Sequence, residues 1–317
     1  ANFYFQILNL SKIKVASIGT LGVDGIKIKN KVSNTTFDTI QINKILKKLK
    51  EKKIENVILE ASSHGLNQNR LDGLFFDIGI FTNLSHDHLD YHKNLKDYLN
   101  AKLYLFKYLI KRKGSIIVDP SVPQFNIIKK IAKKKNLKLM TVFGNDSNLE
   151  LLSHEYKDEY QILKIKYKSE IFEVKLNLLG KIQIKNILMA ILASIKSNLN
   201  IKNIVSTISK VKSVEGRLEK IGILRNNSKV ILDYVHTPDA LKTVLINIKE
   251  QFPLSKICLV FGCGGDRDKN KRSKMGKIAS RYANKIYLTD DNPRSEDPKK
   301  IRNEIKIGIN NRNVKEV

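Results

Sequence analysis

Chemistry in this sequence concentrates between Glu60 and Lys102. Glu60-Ala-Ser-Ser-His-Gly-Leu-Asn-Gln-Asn-Arg70 follows a short apolar run, Asn56-Val-Ile-Leu59, and Ser85-His-Asp-His-Leu-Asp90 follows a second, Phe75–Leu84. Both runs read as buried strands. A carboxylate, imidazoles and amides just past the carboxyl ends of buried strands form the site geometry of open α/β sheets. For the His-Asp-His cluster alone, solvated loop residues are the plainer explanation. Lys102 is the displaced residue. A helix over 95–106 puts Leu95, Leu99, Leu103 and Phe106 on one stripe, and Lys102 shares it. A lysine there needs an acidic partner, a lowered pKa or a covalent modification, unless it snorkels from the stripe's edge; spacing leaves both open.

Those residues need a scaffold, and the periodicity supplies one. Residues 1–10 read as a helix end and Lys14–Ile18 as a strand. Residues 38–53 read as an amphipathic helix with Ile42, Ile45, Leu46 and Leu49 inward. Strands at 115–118 and 139–143 continue the alternation that argues for a mainly parallel sheet. Residues 162–179 break it as an antiparallel hairpin around Lys168-Ser169, before helices over 183–198 and 201–211. After a hinge at 212–220, strands at 229–234, 256–261 and 285–289 alternate with helices at 238–252, 273–283 and 298–310, a Rossmann-like order. The fold class is therefore α/β, with a central mainly parallel-sheet domain over 1–214 and a Rossmann-like domain over 215–317. Gly262-Cys-Gly-Gly265 is too short a fingerprint for a dinucleotide site and reads as a tight loop presenting Arg267.

The chain has 317 residues, 58 Lys+Arg against 31 Asp+Glu, and a formal net charge of +27. The lysines are spread over every helix and aromatics are scarce, which points to a solvated basic surface rather than a nucleic-acid partner. Cys258 and Cys263 make neither a CxxC pair nor a disulfide framework, as in a reducing cytoplasm. No apolar run reaches the ~18–20 residues of a membrane span. The expected partners include neither nucleic acid nor membrane, and the expected state is a monomer.

Taken in order, Gly19-Thr-Leu-Gly22, Asn34-Thr-Thr36, Glu60–Arg70, Thr82-Asn-Leu84, Asp87-His-Leu-Asp90, Gly216-Arg217, Asp233–Leu241, Gly262–Arg267 and Asp291-Asn-Pro-Arg294 resemble the Mur ligase family almost end to end. The resemblance implies an ATP-dependent amide ligase, most similar to members that add meso-diaminopimelate to UDP-N-acetylmuramoyl-L-alanyl-D-glutamate. It implies magnesium held by Glu60, His88 and Lys102, the last as a carbamate formed with carbon dioxide, with these residues and Arg217 as the catalytic set. It implies that Asn34, Thr35, Thr36, Ser62, Gln68 and Arg70 contact the UDP-muramoyl dipeptide. ATP falls to Asn186, Arg217, Asp233 and His236, with Gln183 standing where the family usually has Asn. Diaminopimelate falls to Arg267, Asp291, Asn292, Pro293 and Arg294. A folylpolyglutamate synthase-like ligase is the alternative enzyme, and a basic nucleic-acid-binding protein the alternative of another class.

The family's P-loop, a Gly-rich turn with Lys and Ser/Thr, does not occur in these residues. The resemblance places it just before Ala1. We therefore expect an internal piece of a longer enzyme, both domains truncated, whose 317 residues alone do not ligate.

Overall fold

The computed structural model describes residues 1–26, 34–84, 91–310 and 314–317. Helix α1 (Asn2–Leu10) leads to β1 (Val15–Gly19), β2 (Gly22–Asp24), α2 (Thr39–Glu51), β3 (Asn56–Leu59) and the short α3 (Ser63–Asn67). Strand β4 (Phe76–Phe81), α4 (Leu95–Tyr104), a π-helical turn at Leu105–Leu109, β5 (Ile110–Val118), α5 (Phe125–Lys135) and β6 (Lys138–Phe143) follow. Then come β7 (Leu149–Lys157), β8 (Tyr160–Tyr167), β9 (Glu170–Leu176), α6 (Lys181–Lys196) and α7 (Ile201–Ile208). The last third comprises β10 (Glu219–Ile223), β11 (Lys229–Leu232), α8 (Pro238–Gln251), β12 (Cys258–Phe261), α9 (Asn270–Tyr282), β13 (Lys285–Leu288), α10 (Pro298–Lys306) and β14 (Val314–Glu316).

Strand β1 pairs in parallel with β3, with β2 antiparallel on its other side. Strands β4, β5, β6 and β7 run parallel in that order, and β8 and β9 extend the same six-stranded sheet antiparallel. The hairpin expected around Lys168-Ser169 is present, but β7, rich in charged residues, carries too weak an alternation to have been legible. The later parallel sheet has the order β12-β13-β14. Strand β11 was expected to begin that sheet; it pairs instead with β10 in a two-stranded antiparallel ribbon, because Glu219–Ile223 supplies an adjacent partner edge.

Each part has its own core. Helix α6 is apolar nearly all round and fully buried along Ile187–Ser194, between α1 and the large sheet. A separate cluster, including Leu245, Met275, Ile286, Leu288 and Ile305, fills the later sheet. Helix α2 starts on the Asp38 side chain, which accepts from the Gln41 N–H at 2.8 Å, and buries Ile42, Ile45 and Leu49 as its spacing requires.

Helix α4, the carrier of Lys102, buries Leu103 at 0% exposure and is followed by Phe106 at 2%. Leu95 is a correction: it is 42% exposed, because it opens the helix right after the Asn94 cap, before the stripe reaches the core. Replacing Leu103 by alanine should lower unfolding free energy by about 3 kcal/mol in urea titrations. A loss under about 1 kcal/mol would mean that α4 is not anchored by this stripe.

Candidate active site

The centre of the first part forms where β1 and β3 end side by side. Thr20 donates to Glu60 Oε2 twice, from its backbone N–H at 3.0 Å and its hydroxyl at 2.9 Å. That approach requires glycine at position 19, where a Cβ would lie 2.5 Å from the Glu60 carboxyl carbon. The Thr20 and Thr35 hydroxyls are 3.0 Å apart.

From Glu60 the network runs outward. The Thr36 hydroxyl donates to the Glu60 carbonyl at 2.7 Å and accepts from the Ser62 N–H at 2.9 Å. The Ser62 hydroxyl caps α3 by accepting from the Gly65 N–H at 3.1 Å. Arg70 Nη1 donates to the Thr36 carbonyl at 2.7 Å, and its Nε and Nη2 donate to Gln68 Oε1. Gln68 and Asn67 both donate to the Tyr91 hydroxyl. Thr35, Thr36, Ser62, Gln68 and Arg70 are thus brought onto one rim beside Glu60. Buried Thr36 acts inside this network, while Asn34 is exposed.

Lys102 is half-buried, its ammonium donating to the Asn83 carbonyl at 2.7 Å and lying 5.3 Å from the Phe81 ring and 5.6 Å from the Tyr98 ring. Burial lowers its pKa to about 8. The amine points just past the end of β4. His88 and Asp87 lie outside the described residues. Among the described residues no cluster of three His, Cys, Asp or Glu could hold a metal. Of the expected ligands among the described residues, Glu60 offers an oxygen suited to a hard cation; Lys102 fits one only as a carbamate, since an ammonium has no lone pair.

A second group lies where α6 meets β10 and β11. Gln183 Nε2 donates to the Arg217 carbonyl at 3.3 Å, and Asn186 donates to Gln183 Oε1 at 3.3 Å. The Arg217 guanidinium stands 5.5 Å from the Tyr234 ring centre. Asp233 Oδ2 accepts from the Leu218 N–H at 2.8 Å; burial pushes its carboxyl up, against the pull of that N–H and Arg217. His236 Nδ1 donates to the Tyr234 carbonyl at 3.2 Å. Asn186, Arg217, Asp233 and His236 therefore share one neighbourhood, and Gln183 is its bridge.

A third group joins two loops at the carboxyl ends of β12 and β13. Arg294 Nη1 donates to the Gly265 carbonyl at 2.6 Å, and the Gly265 N–H to the Asn292 carbonyl at 3.1 Å. Asn292 and Arg294 have φ of 41° and 54°, in the left-handed region that side chains other than glycine pay to occupy. A Cβ at 265 would lie 1.8 Å from the Pro293 carbonyl oxygen, so the glycines of 262–265 admit the partner loop. Asp291, Asn292, Arg294 and Arg267 are exposed around this junction. Cys263 is buried beneath it, 3.7 Å from the Met275 sulfur, and burial raises its thiol to about 11.

Residues 5–194 match the Mur ligase middle domain and residues 216–317 the Mur ligase, glutamate ligase domain. The UDP-N-acetylmuramoyl-L-alanyl-D-glutamate–2,6-diaminopimelate ligase of Rickettsia montanensis is 38% identical over 321 residues, covering 100% of this chain and 66% of that protein. The enzyme of the same name from Agrobacterium fabrum is 36% identical over 305 residues, covering 96% and 62%. The chain spans about two thirds of the length of these relatives. A solved ligase structure of that name aligns with a TM-score of 0.72 at 30% identity, over 99% of this chain and 64% of that one. The ADP complex of Mycobacterium tuberculosis folylpolyglutamate synthase aligns at 0.72 with 15% identity, over 100% and 77%, a likeness of fold.

Lys102 gives a pH test. Its folded pKa is below its unfolded value of 10.5, so the unfolded chain binds more protons between about pH 8 and 10.5. The Lys102 contribution to stability must rise with pH across that window. The difference in stability between the protein and Lys102→Met should change in that direction, in denaturant titrations at pH 7.5 and 10; a difference independent of pH would place the amine in water.

Proposed function

Because the chain belongs to the Mur ligase family, we propose that it serves in an ATP-dependent amide ligase joining meso-diaminopimelate to UDP-N-acetylmuramoyl-L-alanyl-D-glutamate, in the cytoplasm. The observation that carries this reading is the Arg294 junction. Nη1 is committed to Gly265, and among the described residues the other guanidinium nitrogens have no hydrogen bond, leaving a planar donor edge for a second carboxylate. The Rickettsia and Agrobacterium relatives, named as 2,6-diaminopimelate ligases, support the same amine.

In this reading the glutamate γ-carboxylate attacks the ATP γ-phosphorus, releasing ADP and leaving an acyl phosphate. The free amine then attacks the acyl carbon, the tetrahedral adduct expels phosphate, and the amine loses its proton. Asn34, Thr35, Thr36, Ser62, Gln68 and Arg70 form the acceptor rim. Thr36 and Arg70 stiffen it, and Thr35 and Gln68 face the ligand. Asn186 and Gln183 serve the adenine side, Asp233 the ribose, and Arg217 and His236 the phosphates. Gln183 in place of the family's usual Asn keeps an amide, long enough to reach the Arg217 carbonyl. Arg267, Asp291, Asn292, Pro293 and Arg294 form the amino-acid pocket.

Glu60, His88 and a carbamate on Lys102 would hold magnesium, which when bound neutralises charge on the phosphates. Thr20 fixes the Glu60 carboxylate for that role. The lowered Lys102 pKa suits carbamate formation, because carbon dioxide adds to the neutral amine. At pH 7 a group of pKa about 8 is roughly 10% neutral, against about 0.03% for an ordinary lysine.

Two measurements test the reading. Native mass spectrometry in bicarbonate should show one carbon dioxide adduct, lost in Lys102→Ala, and that variant should lose ligation in the full-length protein; undiminished ligation would end the modified-lysine role. Arg294→Ala should raise KM for diaminopimelate roughly 10–150-fold while moving KM for ATP little. Equal losses for both substrates would make Arg294 structural.

A further inference from the structure

Arg272 carries the most buried charge among the described residues, at 0% exposure, and no step proposed above uses it. It lies on the inner face of α9 with Met275, Gly276 and Ala279. Its Nη1 donates to Glu296 Oε2 at 2.9 Å and to Glu304 Oε2 at 2.7 Å. Its Nη2 donates to Glu296 Oε1 at 2.8 Å and to the Gly264 carbonyl at 3.3 Å. Nε is buried and has no partner among the described residues. Taking a guanidinium fully out of water is expensive, and replacing such a network by apolar residues is often neutral or stabilising. Stability alone does not explain it.

Its partners do. Gly265, the residue that receives Arg294, is bracketed on both sides by this network. The Gly264 carbonyl before it takes Arg272 Nη2. The Asp266 N–H after it donates to Glu296 Oε1 at 2.6 Å, the same oxygen that Arg272 holds. Glu296 also closes the partner loop, donating its N–H to the Pro293 carbonyl at 3.0 Å, while the Asp266 carboxylate accepts from the Ser295 hydroxyl at 2.7 Å. One guanidinium thus ties both loops that set the position of Arg294.

We propose that Arg272 is a positioning residue for amine selectivity. Its buried fork holds residues 264–266 against 293–296, so that Arg294, in its left-handed conformation, presents its free edge to the distal carboxylate of the incoming diamino acid. This rests on the reading of Arg294 above. Arg272 touches no substrate; it fixes the register of the loop pair through its two-nitrogen fork on Glu296, and a lysine, whose donors all leave one nitrogen, cannot reproduce that planar pairing.

The test is the ratio of kcat/KM for meso-diaminopimelate to that for lysine, which lacks the distal carboxylate, measured in the full-length protein. Arg294→Ala and Arg272→Lys should each lower the ratio about tenfold or more, with KM for ATP within about twofold. Glu304→Gln, which removes only the outer partner, should leave the ratio unchanged. If Arg272→Lys does not fold, Glu296→Gln carries the same expectation as Arg272→Lys. Equal loss for both amines in Arg272→Lys, with the ratio intact, overturns the proposal and leaves the reading of Arg294 standing. An unchanged ratio in Arg294→Ala removes that reading and the proposal with it.

Discussion

A full charge taken out of water must be met by other charges or dipoles, and the candidate site is organised by that requirement. Asp119, with its side chain 1% exposed, answers it with the Lys185 ammonium at 2.5 Å and the Ser121 N–H and hydroxyl. Arg272 answers it with two carboxylates and a carbonyl. Lys102 answers it only in part, with one carbonyl and two aromatic faces, and so its amine gives up its proton more readily. The two well-paired charges hold backbone in place. The poorly paired one is the candidate for chemistry.

Absent atoms matter as much as charges. Glycine at 19 lets a carboxylate reach the Thr20 backbone, and glycine at 65 lets α3 close on Thr36, where a Cβ would lie 2.6 Å from the threonine Cβ. Glycine at 265 lets one loop lie on another. These contacts sit where strands end and hydrogen-bond ladders no longer fix the backbone. Side-chain bonds take over there, which is why Thr36, Ser62 and Arg70 spend so much of their capacity on neighbours.

Much of this was legible in the sequence, and the losses have physical reasons. The 3.6-residue period located α2, which buries one clean stripe, and the inward turn of α4 at Leu103, though not the exposed Leu95. A cation on an apolar stripe singled out Lys102. The same signal marks Arg272, on a stripe with Met275 and Ala279, but a helix read as starting at 273 excludes it. The true start at Asn270 has no side-chain cap to announce it. Strands β7 and β10 were missed because charged and polar residues interrupt their apolar ones, in Leu149–Lys157 and Glu219–Ile223, so no clean alternation appears. The linking role of Gln183 depends on a contact between residues 34 positions apart, which no local pattern encodes.

The seat of α1 has a consequence for synthesis on the ribosome. Phe3, Ile7 and Leu8 are buried in the core that α6 fills; Tyr4 bonds Ser197, and Gln6 exchanges two hydrogen bonds with the Lys212 backbone. β1 packs on α1 at once, but α6 and α7, which complete the cover of this apolar face, are translated some 180 to 200 residues later. At about 5–20 residues per second, that is a wait of roughly 10–40 s. During it α1 is a half-covered, sticky segment of a nascent chain, open to chaperones and to the wrong neighbours. The first part can close cooperatively only when residues near 212 emerge.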